Sequence, residues 1–262
     1  MIYYNNNYLS IRKSVNDKVV ILPLGAMEQH GPHLSVSTDT DLVSSVAIKA
    51  ENLMPHDILL CPTLSFGSSH HHHSYGTLSI SAAVYTQVVV ELVESLLKTG
   101  YRRIILLNGH GGNITPVRQA LSILSDKYDT PLNPNIVLAT YWELGGKAFT
   151  GAAPMESPAL SHACEYETSM MMHLFPEKVF ADRIERSNRP EKNGYIPFED
   201  DEPYRGITMV KRTEYISNNG CSGEPQLATV EKGTHLFDTA VKELIKFVNS
   251  FKEWPFLNDL TK

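Results

Sequence analysis

Apolar residues fall into two patterns along the chain. Short continuous runs recur at Val19 to Leu24, Ile58 to Cys61, Ile104 to Leu107 and Ile136 to Thr140, and continuity rather than alternation predicts strands buried on both faces. Between them lie segments of helical period: Leu42, Val43, Val46, Ala47, Ala50 and Leu53, then Val84, Val88, Leu92, Val93, Leu96 and Leu97. The alternation of strand and helix predicts an α/β fold. Its mostly parallel sheet is covered by helices on both sides, with functional groups on loops at the carboxyl ends of the strands. A last helix, from about Thr234 to Phe251, carries Leu236, Ala240, Leu244, Ile245 and Val248 on one face and should dock on the sheet. The polar stretch from Arg186 to Tyr204, with its prolines and the acidic run Glu199 to Glu202, reads as an irregular excursion rather than a linker.

Composition adds bounds. A chain of 262 residues is within reach of one α/β unit, so residues 1–262 are expected to form a single domain. Its 42% hydrophobic and 20% charged residues are ordinary for a soluble protein with a sizeable core. The net charge of −6 is spread out, with no basic cluster to neutralise a run of phosphates, which argues against a nucleic-acid partner. Cys61, Cys164 and Cys221 are far apart and lack CxxC spacing, as expected in a reducing cytoplasm. Met1 to Asn7 lacks the order of a signal peptide, and no apolar run reaches membrane-span length. A soluble, cytoplasmic protein is expected.

The chemistry concentrates after the first and third strands. Between Glu28 and Asp39 stand Glu28, His30, His33 and Asp39, a carboxylate and imidazole set suited to Zn²⁺, Mn²⁺ or Fe²⁺. In an extended segment Glu28 and His30 point to the same side, and Asp39 is the natural carboxylate to bridge two ions. The third strand ends in Asn108-Gly109-His110-Gly111-Gly112-Asn113, where glycines let the backbone turn sharply and close on a ligand.

A third cluster runs from Ser161 to Ser169. If it opens a helix, His162, Glu165 and Thr168 or Ser169 share a face, whereas Glu167 looks elsewhere. Met170 to Met172 read as core. Of His70 to His73, one or two are expected to line the pocket or move protons. His56, His173 and His235 read as structural, and Cys164 is a poor candidate nucleophile because adjacent chain position rarely pairs Cys with His.

In order along the chain, these segments resemble the creatininase (creatinine amidohydrolase) family. The matching pieces are Leu24 to Leu34 with Thr38-Asp39, His70 to Thr77, Asn108 to Asn113, His162 to Ser169, and Gly223 to Thr229 with Lys232-Gly233. The resemblance implies a three-layer α/β/α sandwich, often a homohexamer, with two divalent metal ions per subunit and a small-molecule substrate. It implies that Glu28, Asp39 and His110 hold one ion while His30, Asp39 and Glu165 hold the other. A water between the ions would attack a carbonyl, with His162 as general acid and base and Glu167 assisting it. One departure stands out: creatininase proper carries a carboxylate two residues after the histidine of its Asn-Gly-His motif, where this chain has Gly112. Glu165 is the expected replacement. Branches of the family act on different carbonyl compounds, so the resemblance fixes metal chemistry better than substrate. The leading expectation is cleavage of a C–N bond in a small cyclic amide. The alternatives are C–C cleavage of a keto-inositol and a metal-binding module without turnover.

Overall fold

The computed structural model describes residues 1–129, 132–186 and 210–257. Four strands form one parallel sheet in the order β2-β1-β3-β4: β1 (Val19–Leu24), β2 (Ile58–Leu60), β3 (Arg103–Asn108) and β4 (Asn135–Thr140). β1 aligns with β3 from Val20 opposite Ile104 to Leu24 opposite Asn108. Both central strands therefore end at the same edge.

The continuous apolar runs divide by parity between two cores. Val19 and Ile21 of β1 join Ile105 and Leu107 of β3 beneath α2 (Thr38–Leu53), α6 (Glu165–Leu174) and α7 (Val230–Lys252). Val20, Leu22, Ile104 and Leu106 face the other way, under α1 (Tyr8–Lys13), α3 (Ala82–Thr99) and α4 (Ile114–Tyr128). Side chains of a strand alternate between faces, so a strand covered by helices on both sides must be apolar throughout. The result is the expected three-layer α/β/α sandwich. A short helix, α5 (Tyr141–Gly145), continues directly from β4.

Two boundaries differ from the periodicity. The last helix begins a turn early, at Val230, because the Thr229 side chain accepts from the Lys232 N–H and caps it. α6 begins only at Glu165, because Ala163 takes a positive φ of 51° that a helix cannot continue through. The polar stretch ending at Tyr204 lies, beyond Arg186, outside the described residues. Among the described residues no helix is long and apolar enough to cross a membrane.

Ile105 is fully buried in the central strand. Replacing it by alanine removes three methyl(ene) groups from a packed interior, and we expect a loss of about 2–5 kcal/mol in urea denaturation. Val84→Ala on the exposed face of α3 should change stability by less than about 0.5 kcal/mol.

Candidate metal centre

Strand order reverses between β1 and β3, since β1 is followed in space by β2 on one side and β3 on the other. Loops leaving the carboxyl ends of these neighbours diverge, which opens a crevice there. Asn113 ties the loops around it, with its amide donating to Gly25 O (3.0 Å) and its Oδ1 accepting from Ser68 N (3.0 Å). The β3 exit loop passes so close to α2 that a Cβ on Gly109 would lie 2.5 Å from Val43 Cβ. That approach brings His110 against Asp39.

Glu28 follows β1, Asp39 opens α2, and His110 follows β3; all three are buried. His110 stands between the two carboxylates, with Nε2 3.3 Å from Glu28 Oε2 and Nδ1 3.0 Å from Asp39 Oδ2. Those two carboxylate oxygens are buried without a hydrogen-bond partner among the described residues. Orphaned buried charge of this kind is very unfavourable unless something neutralises it. Carboxylate and imidazole donors converging on the gap fit a divalent cation. Glu28, Asp39 and His110 form one such group, and His30, Asp39 and Glu167 form a second that shares Asp39. His30 has the pose of a ligand: Nδ1 is 3.2 Å from the Glu28 carbonyl and Nε2 is 3.1 Å from Asp39 Oδ1.

The electrostatics follow from this crowding. Burial opposes the charge on Glu28, but His110, His162 and His72 hold its carboxyl well below the usual range. Burial likewise opposes protonating His30, yet Asp39, Glu167 and Glu28 push it up to about 10. Glu167 is pushed up to about 7 by burial, with Asp39 and Glu28 adding to the shift. His162 is driven down to about 3 by burial and by His30, and His72 to about 2 by burial and by His162.

His162 lies at the open side of the crevice. Its Nε2 is 2.7 Å from the Gln29 carbonyl and its Nδ1 is 3.6 Å from Glu28 Oε1. Nε2 faces both the Gln29 carbonyl, an acceptor, and the Gln29 amide nitrogen, a donor, and with the hydrogen on Nε2 for the nearer carbonyl, Nδ1 is left free. Gln29, which nothing in the sequence singles out, is a hub: its amide nitrogen contacts His72 Nδ1 (2.9 Å), His162 Nε2 (2.8 Å) and Gly220 O (3.0 Å). Of the histidine run, His72 lies 3.5 Å from Glu28 Oε1 and His71 has a ring nitrogen within 4.8 Å of a Glu28 oxygen, while His70 and His73 are exposed. His33 is buried against Thr168 Oγ1 at 2.9 Å and takes no part in these groups. Burial pushes the Cys164 thiol up to about 12, which leaves it inert.

Glu165, expected as a ligand, is not brought to the centre. Its Oε1 accepts from Lys232 Nζ at 2.6 Å, and its Oε2 accepts from Ser157 N at 2.7 Å. Glu167 stands where Glu165 was expected, with Oε2 accepting from Ala163 N at 2.6 Å and Oε1 3.9 Å from His30 Nε2. The shared helical face fails because His162 is outside α6, so the spacing of three from His162 to Glu165 has no helical meaning. Gly112 also has a steric reason. A Cβ there would lie 2.2 Å from Ser68 O and 2.5 Å from His110 Nε2, so this backbone admits no carboxylate at that position.

A family model described as creatinine amidohydrolase matches residues 9–248. The mycofactocin precursor peptide peptidase of Mycobacterium tuberculosis is 29% identical over 246 residues, covering 90% of this chain and 86% of its own. The creatinine amidohydrolase of Pseudomonas putida is 28% identical over 191 residues, covering 66% and 70%. Among solved structures, a creatinine amidohydrolase superposes with a TM-score of 0.80 at 21% identity, over 97% of this chain and 98% of that one. A mutant creatininase of Zn-Zn type shares the fold, with a TM-score of 0.77 at 22% identity over 95% and 97%.

The Glu165–Lys232 pair yields a prediction of defined sign. Burial opposes the charge on Glu165, but Lys232 and the Ser157 and Glu156 N–H groups hold its carboxyl below the usual range. The pair therefore stabilises the fold above the ordinary carboxylate range, and that contribution is lost as pH falls through the native value. Lys232→Met removes the counter-charge of a buried acid and leaves it only its backbone N–H donors, which should cost about 3–5 kcal/mol at neutral pH. Because that acid then prefers to be protonated, the deficit against the parent should shrink at pH 5, as urea denaturation at both pH values will show.

Proposed function

The chain belongs to the creatininase (creatinine amidohydrolase) family, and from that premise we propose that it is a two-metal amidohydrolase cutting a C–N bond in a small cyclic amide. The observation that carries this reading is the pair of carboxylate and imidazole groups sharing Asp39, with the buried Glu28 Oε2 and Asp39 Oδ2 left without hydrogen bonds. Glu28, Asp39 and His110 would hold one divalent ion, and His30, Asp39 and Glu167 the other. Zn²⁺, Mn²⁺ and Fe²⁺ all suit this donor set. Bound there, such ions supply an acidified water and polarise the substrate carbonyl.

The chain's own residues do the rest. Asp39, one oxygen toward His30 and one toward His110, fixes the spacing of the two groups. His162, held by the Gln29 carbonyl, offers a free Nδ1 that would take a proton from the attacking water and pass it to the leaving nitrogen. Its partial exposure lets it meet a substrate. Glu167, expected from the sequence to assist His162, serves in this reading as a ligand. Glu165 holds α6 to α7 through Lys232.

A second reading places the scissile bond in a peptide. It is favoured by the relative named as a peptidase, which this chain matches over 90% of its length.

Metal analysis should find Glu28, Asp39, His110, His30 and Glu167 acting together. Asp39→Asn should lose at least one ion and Glu167→Gln one, while Glu165→Gln keeps the full content. Loss with Glu165→Gln and retention with Glu167→Gln would reverse the ligand assignment. For the reaction, a panel of lactams, creatinine, formamides, short peptides and inososes separates the readings. His162→Ala should lower kcat on the accepted substrate by about 10²–10⁴-fold with metal content unchanged. Metal bound without turnover on any member would favour a binding module.

A further inference from the structure

His71 and His72 hold neither of the two proposed ions, although each places a ring nitrogen within 4.8 Å of a Glu28 oxygen. His72 is buried, with Nδ1 2.6 Å from Thr213 Oγ1, whose hydroxyl also meets the His71 carbonyl at 3.0 Å. Its Nε2 is turned to Glu28 Oε1 at 3.5 Å. That is too long for a hydrogen bond. It is close to the separation of two donor atoms sharing one tetrahedral ion, since bonds of about 2.0–2.1 Å place neighbouring donors roughly 3.3–3.4 Å apart. His71 supplies the third donor: a ring nitrogen, the His72 nitrogen and a Glu28 oxygen all lie within 4.8 Å of one another.

Two further observations support a built site. The His72 ring is fixed through one nitrogen, its Nδ1 against the Thr213 hydroxyl with the Gln29 amide nitrogen beside it at 2.9 Å, and its other nitrogen is aimed at a carboxylate, as that of His30 is. The His71 ring also lies where a side chain at position 112 would begin, because a Cβ on Gly112 would stand 3.0 Å from His71 Cε1. The ring packs parallel to His110, with an interplanar angle of 2° and centroids 5.9 Å apart. The loop from Thr213 and the histidine run thus bring two imidazoles close to Glu28.

We propose that Glu28, His71 and His72 form a third divalent-cation position beside the two-ion centre, sharing Glu28 with it. Two imidazoles and one carboxylate select a borderline ion such as Zn²⁺ over Ca²⁺ or Mg²⁺. Three protein donors leave a coordination position for solvent or substrate, and with one carboxylate where each of the other two groups has two, this ion is the most weakly held of the three. The inference rests on the two-ion reading, because a shared Glu28 oxygen is presented to His72 only while the rest of the centre holds the carboxylate in place.

The test is a Zn²⁺ titration of chelator-stripped, full-length protein, with bound metal counted by elemental analysis after gel filtration at a series of free Zn²⁺ concentrations. We expect three ions per chain, the last at least tenfold weaker than the others. His72→Ala should bind two, and so should His71→Ala, whose half-buried ring can be removed without emptying the core. The exposed His70 and His73 provide the control, because the double variant His70→Ala/His73→Ala should still bind three. A parent count of two overturns the third position and leaves the two-ion reading standing. A third ion that survives both single substitutions, or that disappears in the control, also overturns it. A parent count below two overturns the two-ion reading, and the third position with it.

Discussion

The structure turns on an electrostatic constraint: Glu28 and Asp39 are buried carboxylates aimed at one imidazole, His110. Two negative charges in a desolvated crevice repel each other and forgo hydration, and a single imidazole can compensate only part of that. Every neighbouring feature answers the same demand. His30, His72 and His162 crowd around the pair, their far nitrogens fixed by protein oxygens or the Gln29 amide and their near nitrogens turned inward. Imidazoles alone leave Glu28 Oε2 and Asp39 Oδ2 unbonded, and it is this unmet charge that makes the cluster a candidate cation site.

The scaffold supplies what such a site requires, namely rigidity at the carboxyl edge of the sheet. β1 and β3 are paired over their whole shared length and flanked by two separate apolar cores. The loops carrying Glu28 and His110 therefore start from fixed points. Asn113 and the side-chain-free Gly109 then draw those loops onto α2, so that Asp39 reaches both groups. Ligand geometry here is inherited from strand register and close backbone approach rather than from local flexibility.

The fold and the core of the site were legible in the sequence because both rest on local patterns. Doubly buried strands must be apolar throughout, and a loop holding Glu28, His30 and Asp39 beside a glycine-rich turn with His110 has few other uses. Glu165 and Glu167 were not separable, because the choice depends on where α6 begins. One residue, Ala163, turns through positive φ and shifts the helical frame, so that Glu167 faces the crevice and Glu165 faces Lys232. Neither periodicity nor propensity encodes that turn. Gln29, Thr213 and the unequal fates of His70 to His73 were hidden for a related reason, since their roles arise from contacts between segments more than 40 residues apart.

The two carboxylates of α6 differ in how far the protein itself meets their charge. Glu165 is saturated, by a lysine ammonium on one oxygen and backbone N–H groups on both, so its charge is met within the protein and it has no capacity left for an ion. Glu167 receives one backbone N–H on Oε2, and its other oxygen faces an imidazole at a distance too long for hydrogen bonding. The unmet oxygen is the one that lies in the crevice. The same reasoning applies to Gly112: with Ser68 O and His110 filling the volume a side chain would need, a carboxylate cannot enter from that loop. In the proposed two-ion reading the second group is therefore completed from α6, across the crevice, so the turn at Ala163 matters to that candidate centre as much as its donors do.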